Sequence, residues 1–142
     1  MYKEVKFRGQ RIDNNEWIFG FYVKDPKGQH RIYWQPFDDA SSNTYHFVKP
    51  ETIGQFTGIK DMKSKDVYAN DICRSDGFNL IVKFINNYKL EVGRNENDGE
   101  IYYSIISGWF GEFTDKSGYT TLAELEVIGN IYESPELLQN VA

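Results

Sequence analysis

The stretch 53–72, IGQFTGIKDMKSKDVYANDI, carries two glycines, three aspartates spaced five apart (Asp61, Asp66, Asp71) and a lysine-rich middle. A phosphate-binding loop needs two glycines four residues apart, followed by Lys and Ser/Thr at a strand-to-helix junction. Here Gly54 and Gly58 are separated by three residues, and Ile59 stands where the lysine belongs. A hard-cation site needs several converging carboxylate oxygens. Asp61 and Asp66 instead flank the turn MKSK, where they are expected to be exposed and where Lys60, Lys63 and Lys65 compete for them. Period-two alternation through Val67, Ala69, Asp71 and Cys73 sets Asp71 at the edge of an inward face, accepting backbone amides at a bend. The stretch therefore reads as a hairpin, with strands over 52–58 and 66–74, and as neither a phosphate cradle nor a metal loop.

Outward from it the same period recurs, punctuated by turn residues. EVKFRGQRI (4–12), EWIFGFYVK (16–24) and QHRIYWQPF (29–37) predict a three-stranded meander over 4–37. Trp17, Phe19, Phe21 and Val23 share one face there, which needs cover, and DPKG (25–28) supplies a turn. The polar run DDASSNTYH (38–46) is the expected loop between an N-terminal lobe, 1–37, and a barrel-like lobe, 47–142, within one compact unit. FNLIVKF (78–84) and YKLEVG (88–93) predict a hairpin joined through Asn86 and Asn87. NENDGE (95–100) is an acidic turn, and IYYSIISGWFGEF (101–113) a long strand, or two bent at the glycines, with an apolar or small odd-numbered face. Thr121 three residues before Glu124 predicts a capped helical turn, and Ser134-Pro135-Glu136 a short C-terminal helix. The expected class is mostly β: antiparallel meander and barrel-like lobes with a helical turn and a terminal helix. ETIGQFT (51–57) and EVIGNIY (126–132) echo one another, by coincidence, as equivalent positions in two lobes, or as strands meeting in one sheet.

The formal charge is −5 over 142 residues, but it is polarised. Residues 1–35 hold seven Lys/Arg against four Asp/Glu, whereas 91–142 hold two against ten. Opposite ends of this kind attract between subunits and favour a heterologous contact, so a homo-oligomer is expected. A pI near 5 opposes non-specific binding to a phosphate backbone. VKFRGQR and HRIYW do interleave bases with aromatics, which leaves a nucleic-acid-associated module as an alternative. Another is an acidic final third that mimics DNA to occupy a host protein.

No apolar run approaches the roughly 20 residues of a membrane span, and MYKEVKFRGQ has no apolar signal core. Cys73, the single cysteine, reads as a small core residue in a reducing cytoplasm. With His30 and His46 the only histidines, neither a zinc site nor a nucleophilic triad is predicted. A small enzyme cleft around Trp34, Asp38 and Asp39 is the remaining catalytic candidate. No cofactor, metal ligand or catalytic residue is assigned.

Two stretches, 53–72 and the end LEVIGNIYESPELL (125–138), resemble the YopX family of phage and prophage proteins. Family members look like GQFTG-hydrophobic-KD, a variable turn, an IYEGDI strand and a final VIGNIYENPELL. The opening VKFRGQRIDNNEWIFGFYVKD is also similar to members beginning KFRGKR and continuing NGEWVYGY. The positions that carry the likeness are Gly54, Gln55, Gly58, Asp61, Tyr68, Asn70, Asp71, Gly129, Asn130, Tyr132 and Pro135. Ala69 and Asn70 replace the family's Glu and Gly. Asn tolerates the left-handed backbone that Gly would supply, so the bend is expected to survive. The resemblance implies a largely β fold, carriage on a phage or prophage, a tendency to self-assemble and no transferable catalytic residue; together with the charge polarity it makes a non-enzymatic module of the bacterial cytoplasm, assembling with itself or binding a host or phage protein, the expected role.

Overall fold

The computed structural model describes residues 6–34 and 45–139. In chain order the strands are β1 Phe7–Gln10, β2 Trp17–Lys24, β3 His30–Tyr33, β4 Tyr45–Phe47, β5 Gly54–Lys60, β6 Asp66–Tyr68, β7 Asp71–Ser75, β8 Phe78–Arg94, β9 Ile101–Phe113, β10 Tyr119–Thr120 and β11 Glu126–Asn130. They form a six-stranded antiparallel sheet ordered β4-β3-β2-β1-β5-β6 and a five-stranded one ordered β10-β9-β8-β7-β11. The fold is mostly β, as the alternation predicts. The sheets are open, however, and the barrel expectation does not hold. The far edge of β1 is taken by β5, so the end of β4 touches β1 only through the isolated bridge Arg11↔Val48. The sheet curls without closing.

The N-terminal meander forms as expected, with Gly28 in the positive-φ position (φ 84°) of the 25–28 turn. Its polarity is the reverse of the one predicted. A Cβ on Gly20 would stand 2.0 Å from the Tyr33 carbonyl oxygen, and one on Gly9 would stand 3.0 Å from Ile32 and Val48. These two glycines let the sheet curl tightly toward their own face, burying Ile32 and Val48 there. The aromatic face is left outside, with Phe19 49% and Phe21 48% exposed. The predicted loop lies almost wholly outside the described residues, as do Asp38 and Asp39. The chain changes sheets later, at Ala69–Asn70, where β6 ends and β7 begins.

Cys73, Leu80 and Val82 of the second sheet are buried together with Val67 of β6 and with Leu125, and Trp109, Phe113, Leu122 and Val127 pack against them. Burial pushes the Cys73 thiol up to about 12, in keeping with its expected place in the core. Two local expectations fail, and a third holds in part. Asn86–Asn87 is no hairpin turn: β8 runs through it as a bulge opposite β9, Asn87 at φ 57°. The Ser107 hydroxyl accepts the Asn87 amide and donates to Asn86 Oδ1, which satisfies the interrupted ladder. The hairpin therefore turns at 95–100. Thr121–Glu124 is not helical, because Leu122 and Leu125 both reach the core from an extended segment, with Glu124 at φ 50°. The short C-terminal helix forms as expected, as a single 3-10 turn over Pro135–Leu138, but Ser134 makes no side-chain cap. Ser134 instead lies over Gly129, where a Cβ would come within 2.5 Å of its hydroxyl oxygen.

Candidate functional site

The strand that changes sheets organises the positions behind the family likeness. β6 pairs with β5 through Phe56↔Tyr68, and β7 pairs with β11 through Asp71↔Asn130 and Ile72↔Gly129. The echoed segments are thus equivalent in position: each flanks one half of the same bent strand, in different sheets. Asn70 makes the bend, at φ 67°, and its Nδ2 donates to the Tyr132 hydroxyl at 2.9 Å. The neighbouring Ala69 amide donates to the Gln55 carbonyl, and the Ile131 amide to that of Asn70. Gly54 is required because a Cβ there would meet the Ala69 carbonyl oxygen at 2.9 Å. Asn130 Oδ1 accepts the amides of Tyr132 and Glu133, fixing the turn that leads to Pro135.

At the centre of this joint Arg8 Nη2 stands 2.8 Å from Asp71 Oδ1, both residues more than nine-tenths buried. The guanidinium lies over Trp17 (4.9 Å) and Tyr68 (5.0 Å). Asp71 Oδ2 accepts the Tyr68 amide at 2.8 Å, which fulfils the expectation of a bend-holding aspartate. Burial raises the Asp71 pKa, against the pull of Arg8 and the Tyr68 amide. Trp17 Nε1 donates to Glu133, and the Trp17 ring packs on Tyr132, so the C-terminal turn is clamped to β2. Arg8 was not among the residues singled out from sequence, although the KFRG of the opening contained it.

Asp61 and Gly58 lie at the other end of β5. Gly58 takes φ 89° where the β5–β6 register shifts. Asp61 is buried rather than exposed at a hairpin mouth, because its carboxylate ties the turn to the second sheet. Oδ1 accepts the amides of Lys63 and Lys65, each at 2.9 Å, and Oδ2 accepts the Val127 amide at 2.8 Å. Burial works to raise its pKa, but these three amide bonds outweigh it and hold the carboxyl below its ordinary value. The lysines go elsewhere: Lys60 and Lys6 pair with Asp66, and Lys63 with Glu126. No group of three metal-ligating side chains occurs among the described residues.

A cavity of about 470 Å³ opens in the first sheet, lined in part by Asp13, His30, His46 and Phe47. His30 Nδ1 lies 2.6 Å from the Tyr22 hydroxyl, and Asp13 is held by Arg11. Basic side chains of the strands that suggested nucleic-acid binding are similarly engaged: Lys6 with Asp66, Arg8 with Asp71, Arg11 with Asp13 and Arg31 with Asp25. Trp34, the described member of the suggested catalytic cleft, is 46% exposed.

An exposed apolar surface lies on the hairpin of β8 and β9. β7 pairs only with Phe78–Ile81 of β8, and β10 only with Gly111 and Glu112 of β9. Beyond Asn86 and Ser107 the hairpin is a two-stranded arm, and among the described residues no third strand pairs with it. The odd-numbered face of β9 enters the core through Trp109 and Phe113 and runs out along the arm as Ile105 and Tyr103, 61% and 47% exposed. Leu90, Val92 and Tyr102 are exposed on the same arm. Sequence alternation revealed this face but not the point where its cover ends.

A family model described as YopX protein matches residues 6–139, nearly the whole chain, and the chain belongs to that family. No curated protein matches it. Among the described residues no helix is long and apolar enough to cross a membrane.

Proposed function

We infer that this YopX-family chain is a phage- or prophage-encoded accessory protein that acts in the bacterial cytoplasm by assembly through its β8–β9 arm, and not by catalysis. The observation that carries this reading is the bare arm. A two-stranded ribbon is marginal at best in water, and long open edges with exposed apolar side chains template pairing with another chain. An arm with Ile105 61% and Val92 60% exposed is stabilised when another protein surface covers it. Single-strand nucleic-acid binding is the weaker reading, since carboxylates of the chain itself occupy the basic side chains that would track a phosphate backbone.

Sedimentation velocity tests the proposal. The full chain is expected to sediment as an oligomer at micromolar concentration. A variant with residues 86–107 replaced by a two-residue Asn-Gly turn is expected to be a monomer with the β-sheet circular dichroism of the parent. A full chain that stays monomeric up to about 100 μM, or a shortened chain that assembles as before, overturns it.

A further inference from the structure

The cavity of about 470 Å³ in the first sheet is lined by both histidines of the chain, His30 and His46. Strand register explains why they meet. Tyr22, Ile32 and His46 stand opposite one another across β2, β3 and β4, and Lys24 stands opposite His30. Residues opposite in an antiparallel ladder share a face, as do residues two apart along a strand. Tyr22, Lys24, His30 and His46 are therefore all on the face that buries Ile32, the one toward which the sheet curls. His30 and His46 are diagonal neighbours there, about 7–8 Å apart. The Tyr22 hydroxyl has no hydrogen-bond partner among the described residues other than His30 Nδ1, 2.6 Å away. The phenol donates to Nδ1, so the His30 proton sits on Nε2 and that nitrogen is a donor. His46 makes no hydrogen bond among the described residues. Asp13 is the acid of the lining, and Arg11 holds both its oxygens, at 2.9 and 2.6 Å. Lys24 is exposed and pairs with no carboxylate among the described residues. Ile12, 59% exposed, adds apolar wall together with Val48 and Pro50.

We propose that this cavity binds a small organic acid, its carboxylate between His30 and His46 on the side of Lys24 and its apolar body against Ile12, Val48 and Pro50. The volume falls in the range of about 300–1,000 Å³ typical of small-molecule sites, and an apolar wall with a few convergent polar groups is their usual lining. The charge of the ligand follows from the groups that meet there. Two imidazoles and a lysine on one face offer donors, while the acid of the lining is already neutralised by Arg11, so a carboxylate finds partners and a cation does not. The inference goes beyond assembly and is independent of it, since no residue of the arm takes part.

Equilibrium dialysis of the full chain against 3-phenylpropanoate at neutral pH tests it, with 3-phenylpropanamide, nearly the same shape without the charge, as the comparison. The acid is expected to bind saturably, one per chain, with a dissociation constant of about 1 mM or below, and the amide about tenfold more weakly, because bonds to a charged acceptor are roughly twice as strong. Acylation of the histidines by diethyl pyrocarbonate, read by peptide mass spectrometry, locates the ligand. Saturating acid is expected to slow modification of both His30 and His46 by about fivefold or more. Lys24→Glu, at an exposed position, is expected to weaken the acid about fivefold and leave the amide unchanged. His46→Leu, with a circular dichroism melt matching the parent, is expected to weaken the acid about tenfold. No saturable uptake of the acid up to about 10 mM, equal affinity for acid and amide, histidines labelled as fast with the acid as without it, or acid affinity unchanged in both variants each overturns the inference. None of these results bears on whether the arm assembles, which sedimentation decides separately.

Discussion

Asp61 offers the sharpest test of how the two sheets are held together. Asp61→Asn keeps the shape and one carbonyl oxygen, which can still accept the amides of Lys63 and Lys65. The second oxygen becomes an NH₂ facing the Val127 amide, so donor meets donor at a half-buried position. Hydrogen bonds to a charged acceptor contribute about 1.5–3 kcal/mol net and neutral ones about 0.5–1.5, while an orphaned buried amide costs about 1–3. The substitution should therefore cost about 2–4 kcal/mol at pH 7. With a urea slope of about 1–3 kcal/mol/M, the unfolding midpoint falls by about 1–2 M. The pH dependence gives a second handle. Because the folded carboxyl lies below its ordinary value, its contribution is full above the unfolded value of about 3.9 and is lost as pH falls through the lower folded value. The gap between parent and variant is thus widest at pH 6–7 and narrows as pH falls below about 3.9 toward the lower folded value, as the parent's own Asp61 takes up its proton. Paired urea titrations at pH 7 and in that acid range measure it. A cost under about 0.5 kcal/mol at pH 7, or a gap unchanged in acid, would refute the tethering role.

Two further outcomes follow from the packing. Gly20→Ala places a methyl group 2.0 Å from the Tyr33 carbonyl oxygen, so β2 and β3 must separate; a loss of about 3 kcal/mol is expected, lowering the melting temperature by about 6–12 °C, and an unchanged melt would show that the curl tolerates a side chain. Arg8→Met and Asp71→Asn should each cost about 3–5 kcal/mol by leaving the partner charge buried alone, and the double variant markedly less than their sum. A urea-based double-mutant cycle reads the coupling, and strict additivity would mean that the two groups do not act as a pair.

Much of this fold was legible because period-two alternation is a local property. The meander, the hairpin at Asp61–Asp66 and the continuous β9 all follow from residues close together in the chain. The failures come from contacts distant in sequence. Alternation sets Phe19 and Phe21 on an aromatic face that calls for cover, but Gly9 and Gly20 on the opposite face set the direction of curl. Asn86–Asn87 carries a hairpin signal, yet Ser107, across the ladder, converts it to a bulge. Thr121 and Glu124 have the spacing of a capping box, and two leucines beside them outweigh it by reaching the core. Asp61 looked exposed between lysines because its third amide partner, Val127, is 66 residues away.

The same distinction bears on the YopX signature. Gly54 and Gly129 sit where Ala69 and Ser134 approach too closely for a side chain, and Asn70 holds a left-handed bend. Asp71 holds Arg8 and the Tyr68 amide, while Asp61 ties the β5–β6 turn to β11. All but Asp61 act where one strand passes from sheet to sheet, and Asp61 ties the two sheets together from the far end of β5, so the signature describes a joint. Substitution of the family's Glu by Ala69 leaves that joint intact, because position 69 contributes backbone: its amide donates to Gln55 and its carbonyl accepts from Arg8. A joint this constrained fixes the direction in which β8 and β9 leave the core. In the proposed assembly the arm is presented from this joint, which lowers the ordering cost of docking it.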